Sequence, residues 1–319
     1  MQYPQLAYVP EARDPSLTIE TRDLVAKVID NTGLLAPECG AGSASYFNLG
    51  HRFTPFTHHL GYHGIRALYD RSERRNLVVP FVSWLNLQTA TLEGIAPDPV
   101  DERAAFGMGR GWPMTVAKAG RGALLRLEPL PRMRVHYNLE LQPAEPDGLD
   151  FCVRFELGRR PDSGRARLRA TWPCYMNAYD DVRLFYPQRQ ASGGWRWAGL
   201  GEKPNVIIGE PVGYEHDQTA FLADRQALPL AYGRLGERVL IIMFSDPSVR
   251  LFVVNAGGHF YCSPVQNPAW DFEWVVDDYP LGQPIGFDGR IIYTSYRGPE
   301  AVLRRYEEWL ASRGQGAAR

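Results

Sequence analysis

The chain has 319 residues, of which 45% are hydrophobic and 22% charged, so it is long enough to bury a sizeable core. Its 35 basic and 36 acidic side chains leave a formal net charge of −1 and therefore no broad positive field for a phosphate backbone, which disfavours nucleic-acid binding as the main role. The 31 glycines and 25 prolines are spread along the whole chain, which is typical of a turn-rich β protein rather than a disordered or fibrous one.

The sequence also leads to expectations about the cellular compartment and about the state of the cysteines. No basic segment followed by an apolar run is visible near the first residue, and no stretch approaches the roughly 18 to 20 apolar residues of a membrane span. We therefore expect a soluble, cytoplasmic protein, with secretion left open if an export signal has been trimmed. The four cysteines form no CxxC pair, which excludes a zinc ribbon or thioredoxin motif and favours scattered, mostly buried thiols.

Positive charge is carried almost wholly by arginine, because lysine occurs only at Lys27, Lys118 and Lys203. A GC-rich genome is the simplest reason. Guanidinium groups nevertheless form forked hydrogen bonds to carboxylates and polar oxygens that lysine cannot match. A few of these arginines could therefore hold an acidic or heavily hydroxylated ligand.

Most of the chain predicts strands. In chain order, the expected strands cover residues 17–29, 64–69, 76–81, 133–142, 150–157, 165–172, 239–244, 250–254 and 290–296. The fourth and fifth alternate apolar with polar residues on either side of the turn-forming segment PAEPDG, which predicts a hairpin. Residues 143–148 and 187–204 have the composition of loops.

One clear helix is expected, over residues 299–313. Val302, Tyr306 and Trp309 repeat there at helical spacing, Pro299 suits the first turn and Gly314 the stop. Many strands with almost no crossover helices predict antiparallel sheets packed face to face. The expected architecture is an all-β super-sandwich with a C-terminal α-helix, built as one domain over residues 1–319.

The first segment that could carry chemistry is residues 44–69, which hold four of the seven histidines among aromatic residues. Imidazole suits proton transfer near neutral pH, and a ring such as Tyr62 suits the apolar face of a sugar. His59 and His63 are the best candidates, although surface or backbone-capping histidines are the simpler alternative. Their HxxxH spacing is a weak metal signal, since the intervening residues form a poor helix without the Glu of a zincin.

The second segment, residues 170–185, gathers hydrogen-bonding and aromatic side chains at the expected end of a strand. Such a junction suits a polyol site, although a simple turn would use the same polar residues locally. The side chains concerned are Trp172, Tyr175, Asn177, Tyr179, Asp180 and Asp181. Further along, His216 stands between Glu215 and Asp217, so a carboxylate could orient its ring; the alternative is a solvated loop histidine.

The third segment, residues 266–278, alternates aromatic with acidic residues and predicts a strand with one face of each kind. Asp271 and Glu273 would lie about 6–7 Å apart at their Cα atoms. Two carboxylates across a saccharide can act as acid and base or as nucleophile, whereas an exposed acidic face would only be solvated. Arg290 is a candidate partner for one of these acids. Elsewhere the sequence has no P-loop, GxGxxG after a strand, GxSxG elbow or EF-hand spacing.

The sequence resembles the galactose mutarotase-like group of β-super-sandwich proteins in four features. These are the all-β pattern, the early strand pair around residues 27–32 and 64–69, the aromatic and histidine segment, and the late strands of 250–296. That group includes sugar mutarotases and epimerases, polysaccharide lyases, and domains of glycoside hydrolases and phosphorylases. Mutarotases pair a general-acid His with a late general-base Glu, for which Glu273 is the possible counterpart. The string Tyr46-Phe47-Asn48-Leu49 is similar to a mutarotase string but lies nearer the N-terminus.

The sequence thus predicts a carbohydrate-active enzyme using acid–base chemistry, with lyase, epimerase and hydrolase all open. The expected catalytic residues are His59, His63, Tyr175, His216, Asp180 and Glu273. The expected substrate-binding residues are Tyr62, Trp172, Asn177, Trp270 and Arg290. The alternatives are a non-catalytic saccharide-binding protein and a structural sandwich.

The expected partner is a saccharide, with neither nucleic acid nor a membrane, and the oligomeric state is open. No cofactor is required by the sequence. Asp180, Asp181 and Asp217 could hold Ca²⁺ if the fold gathers them, but nothing in their spacing demands it.

Overall fold

The computed structural model describes residues 16–30, 63–73, 76–78, 83–96, 98, 112–162, 165–174, 176, 183–200, 226–253 and 270–316. Within these ranges, sixteen strands form three sheets and a single helix, α1 (Pro299–Gly316), follows them. Every strand pair is antiparallel. The predicted antiparallel all-β fold with a C-terminal helix is confirmed.

The strands, in chain order, are β1 (Ser16–Glu20), β2 (Leu24–Ile29), β3 (Gly64–Asp70), β4 (Thr89–Leu92), β5 (Met114–Ala119), β6 (Gly122–Leu127), β7 (Val135–Ala144), β8 (Gly148–Leu157), β9 (Arg167–Trp172), β10 (Leu184–Arg189), β11 (Trp195–Leu200), β12 (Leu230–Leu235), β13 (Arg238–Phe244), β14 (Val249–Val253), β15 (Trp270–Asp277) and β16 (Pro284–Ser295).

The smallest sheet has the order β1-β2-β3. The single strand predicted over residues 17–29 is wrong, because the chain turns at residues 21–23. The Thr21 side chain accepts a hydrogen bond from the Leu24 amide at 3.0 Å, and such a local acceptor favours a turn over a continuous strand. The expected strand pair around residues 27–32 and 64–69 is confirmed for the part that the structure describes, since Lys27 lies opposite Ala67 and Ile29 opposite Gly64 in β2 and β3.

The largest sheet has nine strands in the order β11-β10-β12-β13-β16-β8-β7-β6-β5. Its β7–β8 hairpin is the predicted one, with Val135 opposite Leu157. The loop predicted over residues 187–204 is wrong for residues 187–189 and 195–200, because β10 and β11 form a second hairpin there, and residues 201–204 lie outside the described residues. Its turn contains Gly193 and Gly194, both in the left-handed region that glycine adopts without strain.

Strand β13 lies between two apolar layers, so both of its faces are buried. Leu240, Ile242 and Phe244 belong to the main core. The alternate residues Val239, Ile241 and Met243 belong to a second cluster beneath α1. The helix contributes Val302, Tyr306 and Trp309 to that cluster, which explains the helical spacing seen in the sequence.

The third sheet has the order β14-β15-β9-β4 and packs its aromatic face on the nine-stranded sheet. Trp172 of β9 stacks on Phe272 of β15 with ring centroids 5.0 Å apart. Phe155 and Phe287 of the larger sheet meet Trp274 at 6.0 and 5.3 Å. By strand alternation, the side chains between these aromatic residues point away from the core.

Tyr306 is buried on the face of α1 that packs on the nine-stranded sheet, and this burial leads to a prediction about alkaline stability. Desolvation raises the pKa of Tyr306 to about 12. The folded state keeps a phenolic proton that the unfolded chain releases near pH 10, so stability falls between about pH 10 and 12. Tyr306→Phe should therefore lose less stability than the wild type, by about 1 kcal/mol at pH 11.

The measurement is urea unfolding at pH 8 and pH 11, with the difference between the two pH values compared for each protein. The comparison at pH 8 removes any general effect of the missing hydroxyl. Equal losses in the two proteins would show that Tyr306 ionises freely in the folded state.

Candidate functional site

The structure describes five of the predicted site residues, and the other six lie outside the ranges it covers. The described ones are His63, Trp172, Trp270, Glu273 and Arg290. Those outside the described residues are His59, Tyr62, Tyr175, Asn177, Asp180 and His216.

His63 is fully buried, and its Nε2 atom accepts a hydrogen bond from the Leu87 amide at 2.9 Å. The next residue, Gly64, lies so close to the main chain of residues 84–86 that a Cβ at this position would be 2.3 Å from the Trp84 carbonyl oxygen. Because Nε2 accepts a hydrogen bond from a main-chain amide, this atom has a structural role in place of the predicted proton transfer. His63 holds residues 84–87 beside the start of β3.

The two tryptophans predicted as sugar platforms are core residues. Trp172 and Trp270 are fully buried. The Trp172 ring stacks on Phe272, and its Nε1 donates to the Tyr137 hydroxyl at 3.1 Å. Trp270 lies 6.4 Å from the ring of Trp84. Neither ring offers a face to a ligand, because the aromatic face of this sheet is the one that packs on the core.

Arg290 does not lie with the acids of the third segment. It occupies β16 opposite Asp150 of β8, in the nine-stranded sheet. Its Nε and one terminal nitrogen donate to the two Asp150 carboxylate oxygens at 2.6 and 2.8 Å. This two-pronged ion pair within one sheet replaces the predicted contact between Arg290 and Asp271 or Glu273.

The predicted aromatic and acidic faces of residues 270–277 are confirmed, but the acidic face is not solvated. Asp271 and Glu273 are only 6% and 5% exposed. The Cys174 amide donates to Asp271 Oδ1 at 2.9 Å, and Arg169 Nε donates to Glu273 Oε2 at the same distance. A buried carboxylate is tolerated when hydrogen bonds replace its water, and each of these two has such a bond.

Glu273 belongs to a row of polar side chains that runs across all four strands of its sheet. Thr89, Thr171, Glu273 and Arg250 are register partners on β4, β9, β15 and β14. We call this set the polar row. The hydroxyl oxygens of Thr89 and Thr171 lie 2.6 Å apart. Adjacent strands are spaced about 4.8 Å apart, so the row extends over roughly 14 Å.

Sequence reasoning found Glu273 but missed the other three members of the polar row. The alternation of Arg167, Arg169 and Thr171 with apolar residues was a signal that β9 has a polar face. The order of the strands in the sheet decides which polar residues become neighbours, and β4, β9 and β15 are far apart in the chain.

The two described cysteines are free thiols. Burial raises the pKa of the Cys174 thiol well above its usual value, and it raises that of the half-buried Cys152 to about 11. Both are therefore protonated at neutral pH and unsuited to act as nucleophiles. The expectation of buried thiols is confirmed for Cys174 and in part for Cys152, while Cys39 and Cys262 lie outside the described residues.

In the part of the chain that the structure covers, no three His, Cys, Asp or Glu side chains gather as a metal site would require. The suggested calcium ligands Asp180, Asp181 and Asp217 fall outside that part. The described helix does not combine the length and apolar character needed to cross a membrane.

Comparison with known proteins gives structural similarities only. No protein-family model matches the chain, and no curated protein matches it. A 4-alpha-glucanotransferase from Thermococcus litoralis aligns with a TM-score of 0.40 and 10% identity, over 87% of this chain and 37% of its own. A mutant of the heparan sulfate lyase HepC from Pedobacter heparinus aligns at 0.37 and 10%, over 74% and 31%.

The chain therefore spans about a third of the length of these two enzymes. TM-scores of this size do not establish a common fold, so neither enzyme's activity carries over to this chain.

The structural role of His63 can be tested by stability. His63→Leu removes the acceptor of the Leu87 amide and leaves that donor buried without a partner, which should cost roughly 1–3 kcal/mol in the free energy of unfolding. His136→Leu, at an exposed position on β7, is the matched control and should change stability by less than about 0.5 kcal/mol. Urea unfolding measures both. Equal stabilities of the two variants would contradict the assignment.

Proposed function

We propose that this protein acts on a saccharide at the polar row, with Glu273 as the functional carboxylate. The observation that carries the proposal is the burial of Glu273 and Asp271 on the sheet face that points away from the core. Removing a carboxylate from water costs free energy, so an acid on a purely solvent-facing surface is normally exposed. The burial of these two acids therefore indicates a function beyond contact with solvent. Hydroxyls, carboxylates and guanidinium groups together are the hydrogen-bonding partners that a polyol needs.

The spacing of the two acids fits acid–base work on a glycosidic bond. Their Cα atoms are two strand residues apart, about 6–7 Å. Hydrolysis with either stereochemical outcome uses carboxyl groups about 5 to 10 Å apart, and side chains that extend from Cα atoms at this spacing can reach such separations. Arg169, which donates to Glu273, would hold that carboxylate in a fixed orientation as a base. Elimination and epimerisation also need a base at this position, so the experiment must distinguish these two reactions from hydrolysis.

A second function, saccharide binding without catalysis, has one observation in its favour. Both acids already accept hydrogen bonds from the protein, Asp271 from the Cys174 amide and Glu273 from Arg169. A carboxylate held this way can orient a sugar hydroxyl as well as it can remove a proton.

Two finer proposals accompany the main one. We infer that the chain is one domain, because a single apolar cluster takes Val28, Phe155 and Trp172 from the three sheets.

We also propose a mutarotase-like architecture in which Glu273 takes the place of the late general-base Glu. In this proposal His59, Tyr175, Asp180 and His216 supply the general acid, and Tyr62 and Asn177 complete the sugar site.

The proposal is tested by following a panel of neutral and uronate-containing polysaccharides with the wild type and with Glu273→Gln. Absorbance at 235 nm reports elimination, reducing ends report hydrolysis, and NMR reports epimerisation. Loss of a general base costs about 10²–10⁴ in rate, so Glu273→Gln should lower kcat by that factor while binding changes less.

Asp277→Asn is the matched control, since Asp277 lies on the same face of the same strand but is exposed and pairs with Arg165 and Arg167 at 3.3 and 3.1 Å. It should retain wild-type turnover. Saccharide binding without any product would favour the non-catalytic function. If no saccharide binds, or if Glu273→Gln behaves like Asp277→Asn, the polar row is not the site.

A further inference from the structure

A cleft of about 750 Å³ lies on the side of the nine-stranded sheet that faces away from the polar row. Its floor includes Val239 and Ile241, residues of the cluster beneath α1, whereas the four-stranded sheet packs on the opposite face. One wall is the helix, which presents residues 301–308. The other wall consists of the turns between β1 and β2, after β3 and between β7 and β8.

Two ion pairs fix arginines in this cleft. Arg238 forms an ion pair with Asp70, in which a guanidinium nitrogen lies 2.9 Å from a carboxylate oxygen, and the Asp70 side chain is only 1% exposed. Arg305 of α1 reaches Asp147 in the β7–β8 turn at 3.0 Å, with the Asp147 side chain 9% exposed. The Arg238 guanidinium also lies over the ring of Tyr293, at 4.3 Å from its centroid. Pairs with one buried partner lose less to solvent screening than surface pairs do, so both guanidinium groups are held in place.

The lining of the cleft has more positive than negative charge. It contains six arginines and four carboxylates, a formal excess of two positive charges. Arg297 and Arg304 are exposed, and no carboxylate of the described residues lies within ion-pair distance of either. Both oxygens of Asp23 accept from Arg22 at 2.8 Å, so Glu308 is the acid of the lining that has no such partner among the described residues.

We propose that this cleft is a binding site for a small ligand that carries an oxyanion: a carboxylate, a sulfate ester or a phosphate ester. Arg297 and Arg304 would contact the oxyanion directly. Arg238 and Arg305, already positioned by Asp70 and Asp147, would supply further donors along the floor and the helix wall. Guanidinium groups bind such groups through paired, charge-assisted hydrogen bonds, which neutral sugars cannot match.

The dimensions and charge restrict the ligand. A volume of about 750 Å³ is within the range of small-molecule sites and suits a ligand of one or a few sugar units. A long nucleic-acid backbone is a poor fit, because four carboxylates share the lining and the whole chain has a net charge of −1. The site goes beyond the proposed function, since it uses no residue of the polar row.

The test is calorimetric titration of the full chain at low ionic strength with three probes: inorganic phosphate, inorganic sulfate and trigalacturonate. At least one should bind, and the affinity should fall as NaCl is added, because exposed charges are screened. The probe with the highest affinity identifies the oxyanion. The double variant Arg297→Gln/Arg304→Gln should bind that probe at least about 10-fold more weakly, as expected for the loss of charge-assisted hydrogen bonds.

Arg196→Gln is the matched control, since Arg196 is an exposed arginine on β11 outside the cleft; it should bind like the wild type. Binding by none of the three probes, or equal affinity of the double variant and the control, would overturn the proposal. Glu273→Gln should leave probe binding unchanged, and the double arginine variant should leave the handling of neutral saccharides unchanged. Failure of this site and failure of the proposed function are therefore distinguishable.

Discussion

The constraint on which this structure depends is the burial of the central strands of the nine-stranded sheet on both faces. β13 is apolar at nearly every position, which is unusual for an antiparallel strand and requires a second layer on each side. The four-stranded sheet covers one face and α1 covers the other. The aromatic residues of β9 and β15 and the apolar stripe of the helix are the two complementary surfaces.

This layered arrangement decides which side chains of the outer elements are left for chemistry. Because Trp270, Phe272 and Trp274 face the core, Asp271 and Glu273 must face away from it. The same alternation places hydroxyls and guanidinium groups beside them on the neighbouring strands. The tryptophans that made this segment look like a sugar platform therefore hold the sheet in place, and the polar residues between them carry the proposed function.

The helix has a similar double role. Its apolar stripe closes the second cluster, and its arginines line a cleft whose opposite wall is built from three turns. The turn between β7 and β8 connects the nine-stranded sheet to the helix through Asp147. The Asp147 carbonyl accepts from the Tyr293 amide at 2.9 Å, and the Asp147 carboxylate accepts from Arg305. The two proposed sites, one for anionic and one for hydroxylated ligands, thus lie on opposite sides of the two packed sheets, with the main apolar core between them.

The sequence by itself determined the fold class, the β7–β8 hairpin, the C-terminal helix and the two-faced character of residues 270–277, because each depends on periodicity over a few neighbouring residues. It misjudged residues 187–200, which form a hairpin. Trp195 and Trp197 alternate there with Arg196 and Ala198, but the glycines and polar residues of the turn concealed this strand pattern. Only the tertiary structure decided that His63 binds a main-chain amide and that Arg290 pairs with Asp150. It also decided that Glu273 lies beside Thr171 and that Arg238 meets Asp70, because these neighbours are set by strand order and layer packing between segments far apart in the chain.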